Sequence, residues 1–387
     1  MRKRIRGKSD LAIHGAPPAF REPIHVGRPN LGSRDAFLRR VHTLLDERWL
    51  TNDGPQVREL EQRLAAYLGV KHCVAMCNGT IALEIAIRAL GLKGEVIVPS
   101  YTFVATAHAL HWQEITPVFT DIDPHTHNLD PEAVRKRITP RTTGIIGVHL
   151  WGRPAPHDAL QAIADEHGLT LLYDAAHAFG CSRRGTMIGN FGACEVLSFH
   201  ATKSFHTFEG GAVVTNDDAL AAKLRLMRNF GFETYDTVVF PGINGKMTEI
   251  CAAMGLTNLE SFDDIVEANR RHYHEYRDAL QGIAGLRLLP YDENERCNYH
   301  YVVVEVDESF PVSRDAIVEA LKAENILARR YFWPGAHGMK VYRELYPQAD
   351  AALPNTIAVA ARVIVLPTGT TLPEGAIETI AAVFAAI

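Results

Sequence analysis

The stretch "SFHATKSFHTFEGGAVVTND", residues 198–217, places one lysine between two aromatic clusters, shortly before a Glu-Gly-Gly step. The run Ala-Val-Val-Thr at 212–215 has the composition of a buried β-strand. A lysine is costly to bring toward a protein interior because its ammonium group must be desolvated. Lys203 is therefore either an ordinary surface residue on a connection or an amine held in a pocket, where it could condense with a carbonyl compound.

Around this stretch, from about residue 55 to residue 230, short apolar runs alternate with amphipathic segments of helical length. The helical segments lie between predicted strands. These strands are 72–76, 95–99, 115–122, 142–150 and 169–174. Continuous apolar strands that alternate with helices are typical of a mostly parallel sheet covered on both faces. The pattern predicts an α/β fold.

The pattern changes in the last third of the chain. Residues 247–283 predict one long helical run that could bend at Gly255. A strand at 298–306, a helix capped by Ser313 and a strand at 363–368 follow, which is typical of a smaller α+β domain. The expected divisions of the chain are a basic tail at 1–19, a large domain at 20–247 and a small C-terminal domain at 248–387.

Composition argues against several classes of protein. Of the 387 residues 47% are hydrophobic, and the net charge is −5, so the overall field does not favour nucleic-acid binding. No run of 18 or more apolar residues is present, so no membrane span is expected. The basic start at 2–8 is followed by polar and turn-forming residues rather than by an apolar segment. We therefore expect a flexible tail on a cytoplasmic protein.

The cysteines and histidines lack the spacing of metal ligands. None of the six cysteines forms a Cys-x-x-Cys pair, which favours free buried thiols over a disulfide framework or a zinc site. His108 and His111 are three residues apart, but no second ligand pair accompanies them at a familiar spacing. We expect no metal site.

Residues suited to chemistry follow three of the predicted strands, at the sheet edge where ligands of open α/β sheets bind. Gly79 and Thr80 open a helix, Asp174 ends a strand, and Lys203 lies five residues after Ser198. The free N–H groups and the dipole of a helix start suit a phosphate, although such residues are also typical of a plain turn and N-cap. Asp174 is equally consistent with a helix cap and with a carboxylate that has a cationic partner.

Together a phosphate site, a carboxylate and a lysine are the parts that a pyridoxal phosphate site requires. The lysine forms a Schiff base, and the carboxylate keeps the pyridine nitrogen protonated. Phe103 or Tyr101, both just past the strand at 95–99, could supply an aromatic ring to cover the cofactor, and either could instead be core packing. No Gly-x-Gly-x-x-Gly or Walker-type loop is present, which disfavours dinucleotide and triphosphate binding.

Six segments occur in an order that is far more specific than any one of them. They are "WLTNDGPQVRELE", "NGTIALEIAI", "VPSYTFVATAHA", "DAAHAFG", "SFHATKSFHTFEGGAVVTND" and "GINGKMTEICAAMGL". In this order they resemble the DegT/DnrJ/StrS family of pyridoxal-phosphate-dependent sugar aminotransferases, over roughly residues 20–387. The resemblance implies the aminotransferase fold of type I, with a large domain on a mostly parallel sheet and a smaller α+β domain.

The resemblance also implies roles for particular residues. Lys203 is the Schiff-base lysine, and Asp174 faces the pyridine nitrogen. His177 lies near the phenolic oxygen of the ring, where many members have glutamine, and Phe103 stacks on the ring. Contacts to the cofactor phosphate are implied for Gly79, Thr80, Ser198 and, from the neighbouring subunit, Asn244. The active unit would then be a homodimer with shared sites. One branch of the family has histidine in place of the lysine and dehydrates sugars, and Lys203 speaks against it.

Within the family, residues 198–211 and 50–55 resemble enzymes that aminate dTDP-4-keto-6-deoxyglucose at C4, for deoxysugar antibiotics and surface polysaccharides. Glutamate is the expected amino donor. Amination at C3 and amination of cyclitols stay open, as does a non-catalytic sensor that binds the cofactor or a sugar nucleotide. Arg330 and Tyr331 are candidate substrate contacts, although a solvated arginine on a strand edge is an equally good interpretation of Arg330.

Overall fold

The computed structural model describes residues 3–387, so Met1 and Arg2 of the predicted tail lie outside the described residues. The helices are α1 Arg34–Glu47, α2 Pro55–Leu68, α3 Gly79–Ala89, α4 Ala105–His111, α5 Pro131–Arg135, α6 His157–His167, α7 Asp218–Met227, α8 Glu249–Glu260, α9 Phe262–Leu280, α10 Arg314–Ala323, α11 Lys340–Leu345, α12 Pro354–Arg362 and α13 Ala376–Ala386. The strands are β1 Ile24–His25, β2 His72–Met76, β3 Glu95–Pro99, β4 Thr116–Thr120, β5 Thr142–Val148, β6 Thr170–Asp174, β7 Ser182–Arg183, β8 Thr186–Met187, β9 Glu195–Ser198, β10 Gly211–Thr215, β11 Phe232–Thr234, β12 Thr237–Val238, β13 Leu286–Leu288, β14 Val302–Val306, β15 Ile326–Leu327 and β16 Val363–Leu366.

A seven-stranded sheet forms the centre of the large domain, in the order β2-β10-β9-β6-β5-β3-β4. The strands from β9 to β4 pair in parallel, and β10 runs antiparallel to both of its neighbours. Two hydrophobic clusters cover the two faces of this sheet. Burial on both faces is the reason that these strands are continuous apolar runs. The predicted mostly parallel α/β fold is confirmed.

Helix starts in both domains coincide with capping residues. At the start of α3, the Asn78 side chain accepts a hydrogen bond from the N–H of Ile81 at 2.8 Å. The predicted cap at Ser313 is present at the start of α10, where its hydroxyl accepts from the N–H of Ala316. These side chains satisfy N–H groups that have no partner within a helix.

The predicted single helix at 247–283 is two helices, α8 and α9, and the break lies at Ser261 rather than at Gly255. Ser261 has φ −112° and ψ 7°, outside the helical region. Gly255 stays helical, and a Cβ there would lie 2.8 Å from the Thr207 side chain and 3.0 Å from Leu60. Gly255 therefore serves the close packing of α8 and not a bend.

The predicted strand at 298–306 begins only at Val302, so the prediction is wrong for residues 298–301. Tyr299 has φ +49°, in the left-handed region, which a strand cannot include. The backbone from 298 to 301 instead forms an irregular segment, in which the side chains of Asn298 and His300 contact the loops after β6 and β9.

The small domain has a three-stranded antiparallel sheet, in the order β13-β14-β16, packed on α9, α10 and α13. This confirms the smaller C-terminal α+β domain. Helix α8, which precedes it, packs against α1 and α2, and its Ala252 and Leu256 lie in the core of the large domain. The predicted boundary after residue 247 therefore falls near the start of a helix that belongs to the large core.

The N-terminal segment expected to be a flexible tail is held against the small domain from residue 3 onward. Leu11 is buried in the small-domain core, and β1 pairs with β15. The buried carboxylate of Glu324 accepts hydrogen bonds from the Ala19 N–H at 2.7 Å and the Lys3 ammonium at 2.9 Å. A buried carboxylate requires such partners, and here the N-terminal segment supplies them. No helix within residues 3–387 is long and apolar enough to span a membrane.

Candidate active site

A cavity of about 690 Å³ lies at the carboxyl-terminal edge of the central sheet. Eight of the ten residues predicted from the sequence line it: Gly79, Thr80, Phe103, Asp174, His177, Ser198, Lys203 and Tyr331. The remaining two, Asn244 and Arg330, do not line it. The fold thus brings residues from 79 to 331 of the chain to one place.

The backbones of three segments converge at one end of this cavity. A Cβ at Gly79 would lie 3.0 Å from the Ser198 Cβ, and a Cβ at Gly211 would lie 2.7 Å from the Gly79 nitrogen. Gly79 begins α3, where the first N–H groups have no partner in the helix and the helix dipole is positive. The hydroxyl-bearing residues Thr80 and Ser198 line the same cavity. This arrangement suits a phosphate group.

Asp174 lies at the end of β6 with only 6% of its surface exposed. One carboxylate oxygen accepts a hydrogen bond from the Thr106 hydroxyl at 2.8 Å, and the other accepts from the Ala176 N–H at 3.0 Å. Thr106 was not predicted as a site residue. It lies three residues after Phe103, so helical spacing at the start of α4 could have suggested it.

Lys203 lies in the loop after β9, in a turn closed by its own N–H, which donates to the His200 carbonyl at 2.9 Å. Burial lowers the pKa of its amine from the ordinary 10.5 to about 8, and the charge of Asp174 opposes that shift. A pKa near 8 makes the neutral amine at pH 7 roughly 300-fold more abundant than a pKa of 10.5 would. Of the two interpretations of Lys203, the structure supports the amine in a pocket.

His177 is buried beside Asp174 and Lys203, and its ring lies on that of Trp151 at a centroid distance of 5.8 Å. The backbone N–H of Trp151 donates to its Nδ1 at 3.3 Å. Burial, and then the charge of Lys203, hold the pKa of His177 well below 6.5. The ring is therefore neutral with its proton on Nε2, and in that form it offers one hydrogen-bond donor, as the amide of a glutamine would.

The two aromatic candidates after β3 have different environments. Tyr101 is fully buried and donates its hydroxyl to the Tyr331 carbonyl at 2.6 Å. Phe103 is 55% exposed and lines the cavity, 6.3 Å from the ring of Phe332. Tyr101 is therefore core packing, and Phe103 is the ring that is available to a ligand.

The structure places Arg330 away from the cavity. Its guanidinium pairs with Asp315 at 3.0 Å and lies over the ring of Trp333. The preceding residue, Arg329, lines the cavity instead, with its guanidinium 4.9 Å from the ring centre of Tyr331. The sequence favoured Arg330 over Arg329 as a substrate contact, since residue order alone does not show which of two adjacent side chains lines the cavity.

Asn244 lies on the loop before α8, where its backbone forms a β-bridge with Asn229. Its side chain is exposed and does not line the cavity of its own chain. The contact of Asn244 with a neighbouring subunit, which the resemblance implies, therefore stays a prediction.

Among residues 3–387 no group of three or more His, Cys, Asp or Glu side chains could hold a metal ion. The six cysteines are free thiols, and Cys73, Cys181 and Cys194 are buried.

Comparison with known proteins identifies the family. A profile of the DegT/DnrJ/EryC1/StrS aminotransferase family matches residues 33–385. The chain belongs to this family. Among curated relatives, dTDP-4-amino-4,6-dideoxy-D-glucose transaminase of Escherichia coli is 39% identical over 91% of this chain and 95% of its own. GDP-perosamine synthase of Caulobacter vibrioides is 37% identical over 83% of this chain and 87% of its own. The crystal structure of DesI in the presence of its TDP-sugar product has a TM-score of 0.93 and 49% identity, and covers 97% of this chain and 95% of DesI.

Members of the DegT/DnrJ/EryC1/StrS family are pyridoxal-phosphate-dependent aminotransferases, and the residues in this cavity fit that cofactor. The fit rests on the close approach of the Gly79, Ser198 and Gly211 backbones, which brings the start of α3 and the hydroxyls of Thr80 and Ser198 to one end of the cavity. Lys203 and Asp174 line the same cavity. Gly79, Thr80 and Ser198 would hold the phosphate, Phe103 would cover the ring, and Asp174 would face its nitrogen.

Different residues of this cavity would perform different parts of the reaction. Bound pyridoxal phosphate supplies the electron sink that stabilises a carbanion at the amino acid α-carbon. Lys203, with its lowered pKa, would anchor the cofactor and then move the proton to and from that carbon. Asp174 would hold positive charge on the ring nitrogen, because Thr106 and Ala176 fix its carboxylate. The Nε2–H of His177 would donate a hydrogen bond to the phenolic oxygen.

We predict that Asp174→Asn leaves a folded protein with turnover lowered by several orders of magnitude, roughly 10³-fold or more. A neutral side chain no longer stabilises a protonated ring nitrogen, and the electron sink is weakened. The measurement is kcat with saturating glutamate and ketosugar, together with the thermal unfolding midpoint.

Asp121→Asn is the matched control. Asp121 also has 6% of its surface exposed and also follows a strand of the central sheet, but it accepts hydrogen bonds from Thr356 and does not line the cavity. This variant should lose stability, by about 1–3 kcal/mol, while each folded molecule keeps its turnover. Equal turnover in the two variants would mean that Asp174 has only a structural role.

Proposed function

We propose that this chain transfers the amino group of glutamate to C4 of a nucleotide-linked 4-keto-6-deoxyhexose, with dTDP-4-keto-6-deoxy-D-glucose as the substrate. The observation that carries the proposal is near full-length similarity to the E. coli dTDP-4-amino-4,6-dideoxy-D-glucose transaminase, joined to a cavity that contains Lys203 and Asp174. Similarity to DesI, whose crystal structure was determined in the presence of its TDP-sugar product, supports the same nucleotide class.

The reaction consists of two halves in one cavity. Glutamate gives up its amino group and leaves as the keto acid, and the ketosugar then receives that group and leaves as the aminosugar. In each half Lys203 is the group that moves the proton, so a single amine with a pKa near 8 serves both directions. The cofactor and both substrates must therefore meet within reach of the same side chain.

Arg329 offers a contact for the substrate diphosphate in the cavity. Arg329 and Lys203 are the lysine and arginine residues among the described residues that line the cavity, and Lys203 is committed to the cofactor. The Arg329 backbone is held by hydrogen bonds in both directions with Val365 at the end of β16. We therefore assign the diphosphate contact to Arg329, with Tyr331 beside it, in place of Arg330.

The alternatives differ in how much supports them. A non-catalytic sensor has no need of a Schiff-base lysine with a lowered pKa, and the chain belongs to an aminotransferase family. C3 amination and cyclitol amination use the same cofactor site, and the named relatives do not favour them. Similarity to GDP-perosamine synthase makes GDP the competing nucleotide, so it enters the assay below.

A homodimer with shared sites is part of the proposal. Asn244 is exposed, and nearby apolar side chains on the same loop and hairpin are also exposed: Phe230, Phe232, Val238, Val239 and Ile243. An exposed apolar group of this kind suits burial against a second copy of the chain. The Asn244 side chain would then reach the cofactor phosphate of the partner.

Three finer expectations stay predictions: glutamate as the donor, a cytoplasmic location, and a place in the biosynthesis of deoxysugars for antibiotics or surface polysaccharides. The location and the pathway concern the setting of the reaction and do not change the chemistry of the cavity.

Amination at C4 is tested by a panel of ketosugar nucleotides. The dTDP-4-keto and dTDP-3-keto 6-deoxyhexoses and the GDP-linked 4-keto sugar are offered separately with glutamate, and the aminated carbon is identified by NMR. We predict a 4-amino product and a strong preference for the dTDP-4-keto sugar, because a misplacement of about 1 Å can cost roughly 100-fold in rate. A 3-amino product would overturn the regiochemistry but leave the aminotransferase assignment intact.

The shared site is tested by mixing an Asn244→Ala chain with a Lys203→Ala chain. Lys203→Ala homodimers should be inactive, and Asn244→Ala homodimers should retain cofactor poorly. In the mixed dimer, the site with an intact Lys203 receives Asn244 from its partner. If equal amounts of the two variants exchange subunits at random, about a quarter of all sites should have both Lys203 and Asn244 intact. Activity no higher than the average of the two homodimers would place the contact within one chain or remove it.

A further inference from the structure

Residues 298–301, here called the strap, cross between the two loops that carry the chemistry. The strap enters from the small domain immediately before β14. One loop follows β6 and contains Asp174 and His177, and the other follows β9 and contains Lys203. Both loops belong to the large domain, so the strap is a contact between the domains at the cavity wall.

Asn298 attaches the strap to the loop after β6. Its side chain is fully buried, and its amide donates to the His177 carbonyl at 2.9 Å and to the Phe179 carbonyl at 3.1 Å. Its amide oxygen accepts from the N–H of His300 at 3.1 Å. One amide group thus fixes both the loop and the next part of the strap.

His300 attaches the strap to the lysine loop. Only 6% of its surface is exposed, and its Nε2 lies 2.8 Å from the carbonyl oxygen of Thr202, the residue before Lys203. A carbonyl only accepts hydrogen bonds, so the proton is on Nε2. The Nδ1 atom has no hydrogen-bond partner in the described part of the chain. Burial, which outweighs the hydrogen bond to Thr202, lowers the pKa of His300 to about 4, so the ring is neutral.

Thr202 also has a close backbone neighbour in the N-terminal segment. A Cβ at Gly27, in the segment after β1, would lie 2.9 Å from the Thr202 Cβ. Gly27 has φ +74°, a conformation that favours glycine. The peptide that carries Lys203 is therefore contacted both by the imidazole of His300 and by the backbone at Gly27.

We propose that His300 is a positioning residue for Lys203. By donating to the Thr202 carbonyl it fixes the peptide from which the Lys203 side chain extends, while Asn298 fixes the loop after Asp174 from the same strap. The distance between the amine and the carboxylate is thereby set by a small-domain segment. The inference rests on the proposed role of Lys203 in the reaction, and it adds a residue that does not itself touch the reacting atoms.

Two amide substitutions that differ by one methylene group separate positioning from general packing. His300→Gln places an amide N–H near the position of Nε2, and His300→Asn places it near the position of Nδ1, where it cannot reach Thr202. We predict kcat within about 3-fold of wild type for His300→Gln and about 10- to 100-fold lower for His300→Asn, since displacement of a catalytic group by about 1 Å costs up to roughly 100-fold. KM for glutamate and for the ketosugar should change by less than about 3-fold in both.

A second readout follows the Lys203 amine itself. Treatment with glutamate converts the holoenzyme to its pyridoxamine phosphate form, in which Lys203 is free and its acetylation can be followed against pH by peptide mass spectrometry. Burial lowers the pKa of Lys203, and the charge of Asp174 raises it. His177 and His300 are neutral. The pKa should stay near 8 in wild type and His300→Gln, and should rise toward 10.5 in His300→Asn, where the loosened loop exposes the amine to water.

Rates are referred to the concentration of cofactor-loaded sites, so a loss of folded protein does not enter the comparison. Equal kcat in the two variants, or an unchanged Lys203 pKa in His300→Asn, would overturn the proposal. A wild-type enzyme that aminates none of the offered sugars would instead contradict the proposed substrate, while the acetylation comparison would still decide the role of His300.

Discussion

The structure depends on the placement of one half-buried lysine amine beside one buried carboxylate at the edge of the central sheet. Burial lowers the pKa of Lys203 to about 8, and the charge of Asp174 limits that decrease. Asp174 in turn has its oxygens fixed by Thr106 and Ala176. Without these contacts, a carboxylate with so little surface exposed would be costly to keep at this position. Because its pKa is lowered to about 8, the Lys203 amine can act as a base near neutral pH.

Sheet topology explains why these groups meet. β6 and β9 are parallel neighbours, so their carboxyl ends place Asp174 and the Lys203 loop at one edge. β10 is antiparallel and begins at that edge, where Gly211 pairs with Ser198 and lies close to the start of α3. The small domain and the N-terminal segment then complete the wall, through His300 and Gly27. Elements that are distant in the sequence thus determine the geometry of one lysine.

The sequence was sufficient where the signal is local. Strands at 72–76 and 95–99 and the cap at Ser313 follow from apolar runs and a capping residue, and the structure has them at these positions. The strap could not be predicted, because its apolar, β-branched continuation makes the whole of 298–306 look like one strand, and its bend depends on bonds to residues more than 95 positions earlier. Arg329 was missed for a related reason, since only packing decides which of two adjacent arginines faces the cavity.

The central claim is that the amine of Lys203 binds the cofactor. It is tested most directly by reducing the resting holoenzyme with sodium borohydride, digesting it and locating the phosphopyridoxyl group by mass spectrometry. Our account predicts that group on the peptide that contains Lys203, and its loss when the enzyme is first treated with glutamate. A phosphopyridoxyl group on another lysine such as Lys246, or labelling that glutamate does not remove, would contradict the account.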